Sequence, residues 1–432
     1  MKRFFCLLTL LTVLVACGGG SSSGPSADEG GNSGNGPNAE GKPPSVGNGD
    51  VPAGSNVVDL LVDGGPVGKK ANVLYASVTI CKPGSTSLCK TIDHVLVDTG
   101  SVGLRLLASE VPADLQLSAA KNTSGNVLLG CANFLDGSFA WGPLALADVK
   151  LGGLTASNTT VQLVGHSDYD PFQDQCSSGG DPIITAADLG AKGILGVGLS
   201  KQDCGIACRG SARNGKYFSC INADCTDVTG ATLASDKQLQ QVVARFPADN
   251  NGFAIQMDSV SNAGAATAKG KMIFGLGTRS NNQFPALRVL ATNSLGLLNG
   301  ELRANGILMR GNYESTFLDT GSNGIYFDSY LPTCGLGKYV DFYCPIKDID
   351  FTVVIANAFA AQVRGSFTLS NGAALLQKGN SALPTLGGAL SAPGLLDLGL
   401  PFFYGKTVVI GIDGLSATGV GTGTATGPFY AL

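Results

Sequence analysis

Most of the chain consists of short apolar runs separated by Gly, Pro, Asn and Asp. The runs begin at Val57, as in NVLYASVTICKPG and HVLVDTG, and continue in DVKLGGLTASNTTVQLVG and GKMIFGLG. Runs of this length, rich in β-branched residues and bounded by turn formers, predict strands joined by hairpins. We therefore expect sheets to dominate the fold.

One segment has a different period. In LASDKQLQQVVARFP, residues 233–247, Leu239, Val242, Val243 and Phe246 share one face of a helix, so the pattern predicts a helix there. Elsewhere the strand pattern prevails, and 62 glycines with only 14% charged residues are typical of a chain with many turns. The expected fold class is all-β, with few and short helices.

Two of the apolar runs end in the same four residues. VLVDTGSVGLRLL, residues 95–107, and TFLDTGSNGIYF, residues 316–327, both contain Asp-Thr-Gly-Ser, and Asp98 and Asp319 are 221 positions apart (319 − 98). A single copy is weak evidence, because Asp and Gly are common turn residues. Two copies, each followed by one residue, Gly and an apolar residue, indicate two related lobes.

A lobe boundary is expected between the repeats. The segment GFAIQMDSVSNAGAATAKGKMIFGLG provides a strand, a polar loop and a second strand. We therefore predict an N-terminal lobe at residues 56–275 with the first Asp-Thr-Gly-Ser and a C-terminal lobe at residues 276–432 with the second.

The repeat predicts a pair of carboxyls. Two acids brought together by related loops cannot both ionise cheaply, so they share a proton, and one can act as a base on water while the other donates a hydrogen bond. Each loop also has a hydroxyl that can bond across to the other loop, a glycine that permits close approach and a hydroxyl that can reach the carboxyl. These supporting residues are Thr99, Gly100 and Ser101, and Thr320, Gly321 and Ser322.

With these motifs the sequence resembles the pepsin-like, bilobal aspartic peptidases, and more closely their bacterial lipoprotein relatives, over residues 57–415. The resemblance implies two β-barrel-like lobes around a central cleft, with Asp98 and Asp319 as catalytic residues. It places a flap hairpin in NFLDGSFAWGPLALADVKLGG, residues 133–153. The family's remaining landmarks are Phe134, Gly137 and Ser138 in the flap, Ile194, Leu195 and Gly196 of GILGVGL behind the first loop, and Leu398 and Gly399 behind the second.

The sequence departs from the family pattern at three places. Phe134 replaces the usual flap tyrosine and Arg105 replaces its tryptophan partner, so both changes remove the same interaction. Asp397 falls where an apolar residue is usual, which we interpret as a local shift of the alignment. Ser322 stands where many acid-active relatives have Ser or Thr, which favours an acidic optimum.

The first residues predict export. Lys2 and Arg3 precede an apolar run too short to span a bilayer, which is typical of a signal segment over residues 1–16. The following Cys17 resembles the lipidated cysteine of bacterial lipoproteins, although an ordinary signal with a chance cysteine is an alternative. Residue 18, directly after this cysteine, is Gly, whereas an aspartate at that position retains many lipoproteins in the inner membrane. We therefore expect a lipid-anchored protein of the bacterial cell envelope, at the outer membrane.

Residues 17–55 are rich in Gly, Ser, Pro and Asn and predict a flexible tether. A pro-segment is the alternative, but inhibitory pro-segments of secreted aspartic peptidases are basic, and this stretch is acidic.

The charge of the chain limits the partners that it is expected to bind. The chain has 28 basic and 32 acidic side chains and no basic block, so we do not expect it to bind nucleic acid.

Ten cysteines follow Cys17, and an even number in an exported chain predicts disulfides. Short loops favour the pairs Cys81 with Cys89 and Cys334 with Cys344. The cluster at residues 204–225 leaves a four-cysteine zinc site as an alternative.

Other site types find little support. Only His94 and His166 are present, without a surrounding motif, so a serine triad or histidine metal site is not expected. GLPFFYGKT, residues 399–407, has too many residues between its glycines for a phosphate loop. We expect no cofactor and no metal.

The leading hypothesis is a monomeric, membrane-anchored aspartic endopeptidase that hydrolyses peptide bonds of a peptide or protein in the cleft. The alternative is a catalytically weak or inactive binding protein with the same fold, which holds peptide or glycan in the cleft.

Overall fold

The structure is a computed structural model, and it describes residues 55–177, 180–222, 225–335, 337, 339–390 and 392–432. The predicted signal segment, Cys17 and all but the last residue of the predicted tether lie outside the described residues.

Strands are the main secondary structure of the described chain and far outnumber helices, so the predicted all-β class is confirmed. In chain order they are β1 Val57–Val62, β2 Leu74–Cys81, β3 Cys89–Asp98, β4 Val102–Leu107, β5 Ser118–Ala119, β6 Leu128–Asn133, β7 Phe139–Leu151, β8 Leu154–Val164, β9 Gly193–Val197, β10 Tyr217–Cys220, β11 Val228–Gly230, β12 Gly252–Met257, β13 Ala268–Phe274, β14 Val289–Ala291, β15 Leu298–Ala304, β16 Ile307–Asp319, β17 Ile325–Phe327, β18 Ile349–Ala356, β19 Gln362–Leu369, β20 Gly387–Ala389, β21 Leu395–Gly399, β22 Thr407–Gly411, β23 Ser416–Val420, β24 Gly423–Thr426 and β25 Phe429–Ala431.

Helices in the described chain are few and short, as expected. The α-helices are α1 Ala186–Leu189, α2 Ile206–Gly210 and α3 Gly372–Gln377, and the 3₁₀ turns are Ala108–Glu110, Ala113–Leu115, Ser167–Gln175, Val243–Arg245, Ser280–Asn282 and Leu400–Phe403.

The strands form two principal sheets. In the larger one, β2, β3, β9, β4, β8 and β7 follow one another, and β7 also pairs with β2, so these six strands close into a barrel. The sheet continues from β2 through β1, β13, β12, β22 and β25 to β14. The second sheet has the order β19-β18-β15-β16-β21-β17-β20. The predicted boundary at residue 275 directly follows β13.

Burial differs between the sheets. All residues of β2 except one are buried, because the barrel and the rest of the larger sheet cover both faces of that strand. In β18 burial alternates, with Phe351, Val353 and Ile355 inside and their neighbours partly or fully exposed. The outer strands of the second sheet therefore face water on one side.

The predicted helix at residues 233–247 is wrong. The segment has only the 3₁₀ turn Val243–Arg245, although all four of the predicted apolar residues are buried. Glutamine side chains explain the difference: Gln238 bonds both backbone groups of Gly205, and Gln241 accepts from the backbone N–H of Val243 at 2.6 Å. The Gln238 bonds tie the segment to the loop at Gly205, and the Gln241 bond closes a local turn. Together they replace the backbone ladder of a helix.

Five disulfides join the ten described cysteines, and both of the pairings favoured by the sequence are confirmed. The pairs are Cys81–Cys89, Cys131–Cys176, Cys204–Cys208, Cys220–Cys225 and Cys334–Cys344. The cysteine cluster at residues 204–225 therefore forms two disulfides. Disulfides of this number indicate an oxidising compartment outside the cytoplasm. Within the described part of the chain, no helix is both long and apolar enough to cross a membrane.

Candidate active site

Each Asp-Thr-Gly-Ser loop leaves the end of one strand and returns along a second strand, with a third strand between them. Asp98 ends β3, and β9 lies between β3, to which it is parallel, and β4, to which it is antiparallel. Asp319 ends β16, and β21 lies in the same way between β16 and β17. The two halves of the molecule therefore build the loop in the same local topology.

The central strands bring a glycine opposite each aspartate. Asp98 pairs with Gly196 and Asp319 with Gly399, with buried Leu195 and Leu398 next to them. A Cβ on Gly196 would lie 2.7 Å from the backbone of Val102, and one on Gly399 would lie 2.0 Å from the carbonyl oxygen of Gly324. Only glycine fits at either position, because a loop folds back over it.

The two loops are tied together by their threonines. The Thr99 hydroxyl donates to the carbonyl of Leu318 at 2.9 Å and accepts from the Thr320 N–H at 2.9 Å. The Thr320 hydroxyl donates to the carbonyl of Val97 at 2.7 Å and accepts from the Thr99 N–H at 3.2 Å. All four bonds are buried, so they fix the distance between the loops.

Two donors from its own loop hold each carboxyl. The N–H groups of Gly100 and Gly321 donate to Oδ1 of Asp98 and Asp319, both at 2.8 Å. The hydroxyl of Ser101 donates to Asp98 Oδ2. On the other side, the Ser322 hydroxyl lies 2.9 Å from Asp319 Oδ2.

The carboxyls of Asp98 and Asp319 lie next to each other at the centre, where each acts on the pKa of the other. Their exposed fractions are 1% and 0%. Burial raises the pKa of Asp98, while the Ser101 hydroxyl, Asp319 and the Gly100 N–H oppose the shift. Burial and then the charge of Asp98 raise the pKa of Asp319 well above its usual range. Two such acids in contact hold a proton between them.

Gly100 permits this contact. A Cβ at that position would lie 2.8 Å from Oδ1 and 2.9 Å from Cγ of Asp319. The first loop therefore has no room for a side chain beside the opposite carboxyl.

Asn72 also links the two halves. Its Nδ2 donates to the carbonyls of Asn323 and Leu383, both at 2.8 Å, and its Oδ1 accepts from the Leu383 N–H at 2.7 Å and the Tyr404 hydroxyl at 2.9 Å. Asn72 is fully buried. It therefore holds the residue after Ser322 in place from the first half of the chain.

A third carboxyl lies behind the second loop. Asp397 is in β21, two residues before Gly399, and its Oδ2 is 2.5 Å from the Ser322 hydroxyl. The sequence interpretation of a shifted alignment is not needed, because Leu398 and Gly399 already lie in register with Leu318 and Asp319. The signal that could have identified Asp397 was its carboxyl at a position where the pattern expects an apolar side chain.

Arg105, one of the positions where the sequence departs from the pepsin-like pattern, is 3% exposed and bonds to groups of its own half. Its guanidinium donates to the Val102 carbonyl at 2.9 Å and to Asp203 Oδ2 at 3.3 Å. The other oxygen of Asp203 accepts from the Tyr217 hydroxyl. Burial raises the pKa of Asp203, and the charge of Arg105 opposes this shift. Sequence reasoning missed this network, because its members lie far apart in the chain.

The predicted flap is a hairpin of β6 and β7. At its turn the Phe134 N–H donates to the Ser138 carbonyl at 2.9 Å, and the Gly137 N–H donates to the Phe134 carbonyl at 3.0 Å. Gly137 has φ of +88°, which favours glycine. The Phe134 ring is 6% exposed and belongs to a buried apolar cluster that also contains Tyr75 and Ile194. Its ring therefore packs into the layer behind the first loop.

The hairpin is anchored at its base. Cys131 of β6 is bonded to Cys176, and its N–H donates to the Lys216 carbonyl at 2.8 Å.

Neither histidine joins the site. His94 lies 3.1 Å from Asp63 and 3.2 Å from Asp93, four residues before Asp98. His166 is 4.0 Å from Asp168 in a surface segment. Among the described residues, no group of three or more His, Cys, Asp or Glu side chains could hold a metal ion.

Comparisons with known proteins identify the family of this chain. The family described as "Protein of unknown function (DUF3443)" matches residues 52–432. No curated protein matches the chain. One similar solved structure is the crystal structure of an aspartic proteinase from Irpex lacteus, which has a TM-score of 0.47 and 15% identity and covers 87% of this chain and 96% of its own. Because the family match spans most of the sequence, the chain belongs to the family described as protein of unknown function, DUF3443.

Proposed function

We propose that this protein is an aspartic endopeptidase, in which Asp98 and Asp319 activate a water molecule that hydrolyses a peptide bond. The observation that carries the proposal is the contact between two buried carboxyls from two matching Asp-Thr-Gly-Ser loops. The threonine bonds and the supporting glycines Gly196 and Gly399 favour it, because they fix both carboxyls before any substrate binds.

The chemistry needs no covalent intermediate. The ionised carboxyl of the pair takes a proton from water, and the water oxygen attacks the peptide carbonyl carbon. The protonated carboxyl donates its hydrogen bond to the carbonyl oxygen, which becomes a hydroxyl of the tetrahedral intermediate. Collapse of the intermediate then returns a proton to the leaving amine. The substrate is a peptide or protein segment in the cleft, covered by the hairpin with Phe134, Gly137 and Ser138.

The proposal includes an address for the enzyme. Removal of residues 1–16 would leave Cys17 as a lipidated first residue, and residues 17–55 would tether the two lobes, 56–275 and 276–432, to the outer membrane of a bacterial envelope. The five disulfides support an extracytoplasmic location. Incorporation of labelled fatty acid into wild type, but not into Cys17→Ser, would test the anchor.

The catalytic proposal is tested with a peptide library at several pH values. Asp98→Asn and Asp319→Asn should each abolish cleavage and pepstatin-type inhibition, because an amide cannot share the proton of the pair. Asp413→Asn is the matched control, since it makes the same change at an exposed aspartate outside both loops. Cleavage that survives in an Asp98→Asn, Asp319→Asn double variant would refute the assignment.

A second candidate function is peptide or glycan binding without cleavage. The buried position of Phe134 favours it, because a ring packed behind the first loop does not order a substrate over the carboxyls. Reproducible peptide binding by wild type with no cleavage at any pH would support this candidate over the enzyme.

A further inference from the structure

The region behind the second loop contains a chain of three oxygens. Asp397 Oδ2 lies 2.5 Å from Ser322 Oγ, and Ser322 Oγ lies 2.9 Å from Asp319 Oδ2. All three residues are 1% exposed or less. The first loop has no counterpart, because Ile194 occupies the register position in β9 that Asp397 occupies in β21.

A proton count shows that one of these carboxyls is neutral. The Ser322 hydroxyl has one hydrogen, and the two carboxylate oxygens beside it have none when both acids are ionised. Two hydrogen bonds at these distances therefore need a second proton, on Asp397 or on Asp319.

The surroundings favour Asp397 as its holder. Its other oxygen, Oδ1, is buried without a hydrogen-bond partner, and among the described residues no ion pair includes Asp397. An anion there would leave a charged oxygen buried and unsatisfied, which is costly. Burial raises the pKa of Asp397 well above its usual range; the Ser322 hydroxyl opposes this and the charge of Asp98 adds to it.

The ionisable groups that face Asp397 from neighbouring elements are all acidic. They are Asp319 on β16, Asp98 on β3, Tyr326 on β17 and Tyr430 on β25. The charge of Arg105 offsets that of Asp98, but no described cation acts on Asp397 itself, so the electrostatic surroundings also favour a neutral Asp397.

We propose that Asp397 is a positioning residue for the proposed peptidase, a third carboxyl that donates to Ser322 and thereby commits the Ser322 hydroxyl to Asp319. When Asp397 releases its proton to solvent, the Ser322 hydroxyl turns to the new anion, and Asp319 loses its side-chain donor. The same anion disfavours ionisation of Asp319. The inference rests on the proposed function, and it assigns the alkaline limit of activity to a residue outside the catalytic pair.

Asp397→Asn tests this arrangement. The amide has the shape of the acid and donates to Ser322 Oγ, but it cannot lose its proton. We expect the variant to keep KM, and its alkaline limb of kcat against pH should lie at least about one pH unit above that of wild type, which is a tenfold change in proton concentration. Asp397→Leu supplies no donor, like Ile194 in the first loop, and should lower kcat about tenfold with little change in KM.

The Ser322→Ala background provides the control. Without the hydroxyl, only the through-space charge of Asp397 acts on Asp319, so addition of Asp397→Asn should shift the pH profile of that background clearly less than it shifts the wild-type profile. Wild-type and Asp397→Asn profiles that coincide would overturn the inference, as would an equal shift with and without Ser322.

Unfolding in urea at several pH values provides a test that needs no cleavage. A buried acid with a raised pKa makes wild type lose stability as pH rises from about 4 towards that pKa, by up to about tenfold in the unfolding equilibrium constant per pH unit. Asp397→Asn lacks this loss, so its stability relative to wild type should rise over the same range. If nothing is cleaved but this difference appears, only the proposed function fails. If cleavage occurs and neither readout responds to Asp397→Asn, the inference alone fails.

Discussion

The two Asp-Thr-Gly-Ser loops share one backbone frame and differ in what stands behind it. In both, an aspartate ends a strand opposite a glycine, and a threonine bonds across to the other loop. Behind Asp98 the central strand has the apolar Ile194, and behind Asp319 it has Asp397.

The neighbouring strands repeat the contrast. Arg105 pairs with Ile194 in the first half, and Tyr326 pairs with Asp397 in the second. One loop therefore has a cation at its side and an apolar residue behind it, whereas the other has a phenol and an acid. Steric demands impose the common frame, since only glycine fits opposite each aspartate, but electrostatic surroundings are free to differ. The pair is thus symmetric in geometry and asymmetric in charge.

The largest expected effect comes from removal of the threonine hydrogen bonds that both loops share. Thr99→Val and Thr320→Val each remove a donor to a buried carbonyl and an acceptor for a buried N–H, so each should destabilise the protein by about 2–4 kcal/mol. The two losses should agree within about 1 kcal/mol, because the bonds are reciprocal. Urea unfolding measures both, with Thr99→Ser and Thr320→Ser as controls that keep the hydroxyl. A large loss for one threonine and none for the other would contradict the symmetric frame.

The next effect concerns the contact between the loops. Gly100→Ala would place a Cβ against the Asp319 carboxyl and displace it, so kcat should fall about 100-fold, as small misplacements of reacting groups do. Gly423→Ala is the matched control, because a Cβ there meets nothing within 4 Å. Peptide cleavage rates at the optimum pH measure the effect. Equal rates for the two variants would show that the carboxyls need not touch.

A smaller effect tests the difference in electrostatic surroundings between the two loops. Ser101→Ala and Ser322→Ala each remove a hydroxyl donor from a carboxyl and should lower kcat about tenfold. Only Ser322→Ala should also change the shape of the alkaline limb, since Ser322 alone contacts a third carboxyl. Identical pH profiles for the two variants would mean that the loops do not differ in this respect.

The smallest expected effect concerns the strand that ends at Asp98 in the first loop. His94 is four residues before Asp98, and the equivalent position before Asp319 is Ser315. The hydrogen bond to Asp63 raises the pKa of His94, with Asp93 adding to the shift and burial opposing it. Because the folded pKa exceeds the unfolded value, the stabilisation is complete below about pH 6.5 and is lost as pH rises through the folded pKa.

His94→Gln should therefore cost on the order of 1 kcal/mol at acidic pH and less at alkaline pH. Ser315→Ala, at the equivalent place, should show no such pH dependence. Urea midpoints measured on both sides of neutrality test this expectation. A penalty for His94→Gln that is constant with pH would rule out a charged histidine.

Local pattern predicted the strands, the repeat and two of the disulfides, because each depends on residues close in sequence. Asp98 and Asp319 are brought together as the repeat suggested, since identical loops on equivalent strands meet when two halves pack face to face. Leu195 and Leu398 could be placed for the same reason.

The remaining features depend on contacts between distant residues. The helix predicted at residues 233–247 failed because Gln238 bonds to the loop at Gly205 and Gln241 closes a local turn at Val243, which periodicity does not register. Arg105 pairs with Asp203, 98 residues away, and the role of Asp397 depends on the side chain of Ser322. Family resemblance marked Arg105 and Asp397 as departures, but only their partners show what they do.

The strand pairing also determines when the site comes into existence. Gly252 of β12 lies opposite Gly411 of β22, 159 residues further on (411 − 252), and Thr99 bonds to Thr320 across 221 residues. Contacts of such separation make folding slow, because the long loops between them must close first. A ribosome-bound chain that ends before Gly399 has no second supporting strand, and therefore no assembled pair of carboxyls. The proposed hydrolase would therefore be inert throughout its own synthesis and become active only when the last strands dock.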